Sequence, residues 1–113
     1  MSSKDVSRRL GDVVVNADRI ERYIAGQDAA AFADSDIVLD ATQRCLERIT
    51  EAVVKIGPVE MAAILPDLPF ERVRGLGNML RHAYDDIDVA VLYGILKNEV
   101  PALRFAALRA LED

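Results

Sequence analysis

Residues 35–58, SDIVLDATQRCLERITEAVVKIGP, read as one amphipathic helix with both ends marked. Val38, Thr42, Cys45, Leu46, Ile49, Ala52, Val53 and Ile56 recur at steps of three and four. At 3.6 residues per turn, that spacing places them on one stripe. Asp34 or Ser35 supplies a side-chain oxygen for the free N–H groups of the first turn. Gly57-Pro58 ends the run. Cys45 lies within the stripe, so it reads as a small core residue rather than a nucleophile.

A helix with one apolar stripe must bury it against a neighbour, and both flanks offer more of the same pattern. Upstream, Val6, Leu10, Val13, Val14, Ala17, Ile20 and Ile24 mark a helix over Lys4–Ala25, with Gly26 as its C-cap. The connection 27–34 is partly helical, and Phe32 can plug the end of a bundle. Downstream, 59–67 is a loop with room for one turn at 60–64, and a third helix covers about Pro69–Asp85. Asp88 caps a fourth over Val89–Leu111, which Pro101 must kink or briefly break because it lacks an N–H and crowds the preceding turn. No strand alternation, hairpin dipeptide or internal repeat interrupts the pattern. The expectation is all-α: a single domain, residues 1–113, folded as an antiparallel up-and-down four-helix bundle with a short extra helical turn or two in the loops.

Composition narrows the function classes. The chain has 113 residues, 51% hydrophobic and 29% charged, which argues against disorder. No apolar run approaches the roughly 20 residues that cross a bilayer, and the N-terminus has no apolar core typical of a signal peptide. A cytoplasmic protein with no membrane partner is expected. Cys45 is the single cysteine and no Cys/His cluster exists, which points away from an internal disulfide or a structural zinc. The net charge of −5 argues against a broad nucleic-acid-coating surface but leaves room for a small basic cleft. Arginine supplies eleven of the fourteen basic residues, and its planar fork suits phosphate, although a coding bias accounts for the excess equally well.

The chemistry is concentrated in residues 70–88, FERVRGLGNMLRHAYDDID, which hold the only histidine, His82. On a helical wheel Val73, Leu76, Leu80, Ala83 and Ile87 form the core face. Glu71, Arg74, Asn78, Arg81, His82 and Asp85 form a second arc, with Gly77 and Tyr84 at the border. A solvated helix face is the plain explanation of that arc. Against it stand Gly75 and Gly77, each costing about 1 kcal/mol relative to alanine in mid-helix, which points to a close approach by another backbone or a ligand. The arc also suits phosphoryl chemistry: an imidazole can move a proton near neutral pH, guanidinium groups can neutralise phosphate oxygens, and a carboxamide can orient either.

The order and spacing of several pieces resemble the HepT-like toxin family, all-helical ribonucleases of the HEPN superfamily. The pieces are RYIAGQDAAAF at 22–32, DATQRCLERITEA at 40–52, LPFERVRGLGNMLRHAYDDID at 68–88, and Val100-Pro101-Ala102-Leu103. The family motif is Arg, four to six residues, then His, often followed by x-Tyr. Asn78, His82 and Tyr84 fall on motif positions, while Gly77 stands where the commonest form has Arg. Arg74 or Arg81 is the candidate replacement.

The resemblance implies a homodimer in which two copies of the motif line one cleft. It implies metal-independent cleavage of RNA, tRNA or mRNA, with His82 as acid/base, Arg74 or Arg81 stabilising the phosphate, and Asn78 orienting; no cofactor is implied. It further implies an MntA-like nucleotidyltransferase antitoxin that silences the toxin by adding AMP to Tyr84. Taken as part of a continuous helix, Tyr84 is a neighbour of Arg81. The alternative is a catalytically inactive helical module that docks such a nucleotidyltransferase, which the glycine at position 77 favours. A third possibility is a purely structural helical dimer.

Overall fold

The computed structural model describes residues 3–113, apart from the side chains of Ser3 and Tyr84. Its helices are α1 (Ser3–Ile24), α2 (Ala29–Ala33), α3 (Asp36–Ile56), α4 (Pro58–Ile64), α5 (Phe70–His82), α6 (Val89–Gly94) and α7 (Val100–Glu112). A 3₁₀ turn, Tyr84–Asp86, follows α5, and a π-helical segment, Ile95–Glu99, joins α6 to α7. No strand occurs among the described residues. The chain is an all-α, antiparallel up-and-down bundle of four long rods: α1, α3, α5 and the continuous α6–π–α7 rod. α1 packs between α3 and α7, and α5 rests on the other flank of α3.

The predicted stripes are the core. Leu10, Val13, Ala17, Ile20 and Ile24 from α1 meet Cys45, Leu46, Ile49, Ala52, Val53 and Ile56 from α3. Leu92, Leu96, Val100, Leu103 and Ala107 close the far side. Phe32 is fully buried and tilts against Tyr93 with ring centroids 5.2 Å apart, so it does plug the bundle end. The Tyr93 hydroxyl donates to the Gln27 carbonyl at 2.7 Å, tying the α1–α2 connection to α6. Ser35 is the α3 cap: its hydroxyl accepts from the Val38 N–H at 3.2 Å.

Three local features refine the expectations. Gly57, at φ 95°, does end α3, but Pro58 then begins α4 where a loop with one turn was expected. A proline ring already has the φ of a first helical turn and lacks an N–H that would be unpaired there. The interruption expected near Pro101 takes the form of a π-helical segment between α6 and α7. The five-residue π segment just before Pro101 widens the turn that the proline ring would otherwise crowd.

The third change affects the site. α5 stops at His82 rather than running to Asp85. Ala83 leaves the helical region at φ −145° and ψ 39°, and the chain enters the 3₁₀ turn. Aspartates 85, 86 and 88 would oppose the negative end of the helix dipole if α5 continued. Asp88 instead caps α6, accepting from the Ala90 and Val91 N–H groups at 2.9 and 3.2 Å.

Candidate functional site

α5 is held by a narrow contact. Only Gly77 and Leu80 of its residues are buried; Phe70, Val73 and Leu76 pack half-covered against the core. Gly77 makes the tightest approach. A Cβ at this position would lie 2.8 Å from Thr50 Oγ1 and 3.2 Å from Thr50 Cβ on α3. Thr50 is itself fixed: it is buried, β-branched, and its hydroxyl donates to the Glu47 carbonyl at 2.8 Å. The glycine therefore lets the α5 backbone settle onto a threonine, and the close approach comes from within the chain. Gly75 is different, since nothing lies within 4 Å of the Cβ it lacks.

The predicted polar arc divides in two. Arg74 belongs to the N-terminal half of α5: its Nε lies 3.3 Å from Glu71 Oε2 and its guanidinium carbon 5.3 Å from the Phe70 ring centroid. Arg81 belongs to the C-terminal end, where Nη2 donates to Asn78 Oδ1 at 2.7 Å. Its other terminal nitrogen, Nη1, lies 3.4 Å from the position a Gly77 Cβ would take. The Arg81 guanidinium thus lies beside Gly77, next to the place that Thr50 fills.

His82, exposed, is the last residue of α5, one turn beyond Asn78 and beside Arg81 in sequence. The structure bonds Asn78 to Arg81 at the same helix end as His82, whereas Arg74 is about 12 Å back along the axis from His82. Asp85, placed in the arc by the wheel, lies past the helix end in the 3₁₀ turn. Tyr84 lies in that turn too, so it is not a helical neighbour of Arg81; its side chain lies outside the described residues.

The sequence reading missed Thr50, which sets how deep α5 sits. Nothing local could reveal it, because residue 50 meets residue 77 only after the bundle closes. Cys45 is buried as expected. Burial pushes its thiol above the ordinary range, an effect partly offset by Arg48, Arg19 and Arg22 nearby. A protonated, enclosed thiol is a poor nucleophile. No helix among the described residues is long and apolar enough to cross a membrane.

Residues 15–109 match the family described as "Ribonuclease HepT-like". Among relatives from Methanocaldococcus jannaschii, one named "Putative RNase MJ0125" is 28% identical, covering 100% of this chain and 97% of the relative. Another, named "Putative RNase MJ1380", is 31% identical, covering 92% of this chain and 94% of the relative. A Thermococcus cleftensis protein named "Probable ribonuclease HepT" is 27% identical, covering 91% of this chain and 90% of the relative. No solved structure matches the chain.

Proposed function

The chain belongs to the ribonuclease HepT-like family, and from that membership we propose that it is a metal-independent endoribonuclease, the toxin of a toxin–antitoxin pair, acting as a homodimer. The observation that carries this proposal is the Arg81 guanidinium lying over Gly77 while bonded to Asn78, one turn before His82. The family's usual motif has an arginine at the position of Gly77, and here a neighbouring arginine places its charge beside that position.

The chemistry follows from the groups. The 2′-hydroxyl oxygen of an RNA ribose attacks the adjacent phosphorus; the O2′–P bond forms as the P–O5′ bond breaks. The His82 imidazole accepts the 2′-hydroxyl proton, and a protonated imidazole, from the second copy across the dimer cleft, returns a proton to the departing 5′-oxygen. Arg81 neutralises the charge gathering on the non-bridging oxygens, and Asn78 fixes the guanidinium through its 2.7 Å bond. Arg74, already paired with Glu71 and stacked on Phe70, is assigned to packing rather than to the reaction.

Control is assigned to Tyr84, which follows the helix end by two residues. AMP added there by an MntA-like nucleotidyltransferase would bring negative charge and bulk beside Arg81 and His82. The second reading, an inactive module docking that nucleotidyltransferase, rests on the glycine at position 77.

Incubation of the purified protein with RNA separates the two. Under the ribonuclease reading His82→Ala lowers cleavage about 10²–10⁴-fold. Arg81→Ala lowers it about 10²–10³-fold. Arg74→Ala leaves it within a few-fold. Equal activity of wild type and His82→Ala, or none in either, would end the ribonuclease assignment. A mass increase of whole AMP units on co-expression with a neighbouring nucleotidyltransferase, lost in Tyr84→Phe, tests the control step.

A further inference from the structure

Among the described residues four of the eleven arginines pair with carboxylates, Arg74 with Glu71 among them. Arg9 lies 3.9 Å from Asp12, Arg44 lies 3.2 Å from Glu47, and Arg104 lies 2.6 Å from Asp18. Arg19, Arg22 and Arg48 are among those that do not pair, and they are set apart by their position at one helix–helix seam. Among the described residues none of the three forms an ion pair with a carboxylate.

They also converge. Arg48 crosses from α3 to donate to the buried Asn16 side chain of α1 at 3.5 Å. Asn16, Arg19 and Arg22 follow at steps of three, on adjoining turns of α1. The charges of all three arginines partly offset the burial that raises the Cys45 thiol. Arg19 and Arg48 are half-buried and Arg22 is exposed, so the cluster is anchored at its base and open above.

The place of this seam in the bundle gives it a use. α1, α3 and α5 form a layer, with α3 in the middle. Thr50 turns toward α5, and Arg48 lies about 160° around α3 from it, toward α1. The seam and the Arg81–His82 end of α5 therefore lie on either side of α3, between one and two interhelical spacings, or roughly 8–20 Å, apart. A polyanion is repelled by a protein of charge −5 except where cations are gathered locally.

We propose that Arg19, Arg22 and Arg48 form a second phosphate-binding subsite, which holds the backbone of an RNA strand flanking the bond cleaved at Asn78, Arg81 and His82. Guanidinium forks held at a helix–helix seam are suited to bidentate contact with phosphate oxygens. The subsite rests on the ribonuclease reading for its orientation toward a scissile bond, but not for its affinity for RNA.

The test is the salt dependence of binding of a labelled 2′-O-methyl RNA oligonucleotide, which lacks the attacking hydroxyl, to the full-length protein. Arg19→Gln with Arg22→Gln should weaken binding several-fold. It should also make the slope of log K against log salt shallower by about 0.7 for each phosphate contact removed. Arg19→Lys with Arg22→Lys keeps the charges and should restore most of the slope, which a folding defect would not allow. An unchanged affinity and slope in the glutamine variant overturns the subsite, as does a wild type that fails to bind. Arginine-dependent binding by a wild type that cleaves no RNA keeps the subsite and removes the ribonuclease reading. Cleavage with an arginine-independent slope does the reverse.

Discussion

At the scale of single residues, the two glycines of α5 have opposite meanings. Gly75→Ala gains helix propensity with open space around the new methyl, so it should stabilise by up to about 1 kcal/mol. Gly77→Ala gains the same propensity but drives a methyl to 2.8 Å from Thr50 Oγ1, and overpacking of this kind costs about 1–3 kcal/mol. The expected result in thermal melts is a raised Tm for the first and a lowered Tm for the second. Thr50→Ala should relieve the second, giving a non-additive double mutant. Cys45 gives a pH signature. Its folded thiol ionises above the ordinary value of about 8.5, so the unfolded chain loses this proton first. Stability therefore falls as pH rises from that value until the folded thiol ionises as well. Between about pH 8 and pH 10 the wild-type Tm should fall more steeply than that of Cys45→Ala. Parallel curves would show that the buried thiol contributes nothing.

At the scale of elements, the end of α5 is the feature that matters for function. The run 85–88 looked like a helical continuation because Ile87 keeps the apolar period. Capping outcompetes it: Asp88 serves two N–H groups of α6, and α5 gives up its last predicted turn. Asp88→Ala leaves both donors without that partner and should cost about 1 kcal/mol, or roughly 4 °C in Tm. Since the 3₁₀ turn is anchored between α5 and α6, the same variant should also disturb placement of Tyr84, read as reduced AMP transfer. The π segment before Pro101 shows the same competition. The sequence announces that a regular helix cannot pass the proline; it does not say whether a kink or a widened turn will absorb the conflict.

At the scale of the molecule, α5 lies at the flank of the bundle with Met79 40% exposed and Phe70, Val73 and Leu76 only half-covered. A homodimer through this flank would cover that surface and join two copies of the Arg81–His82 end. Met79→Glu should shift sedimentation toward the monomer and lower RNA cleavage together. A variant that stays dimeric, or a monomer with full activity, would separate the active unit from this face.

The four long rods, the Phe32 plug, the Ser35 cap and the buried thiol were all legible in the sequence. Each follows from periodicity or end chemistry within one helix, where the 3.6-residue repeat decides which side is buried. Asn78 and Arg81 were legible as neighbours for the same reason, since residues three apart on one helix are brought together by its spacing. Three facts belong to tertiary structure alone. Gly77 is required by Thr50, the Arg81 guanidinium lies beside Gly77, and Arg48 reaches Asn16 across the α1–α3 seam. Each depends on the depth and rotation at which two helices meet, quantities set by packing between segments distant in the chain and written in neither segment by itself.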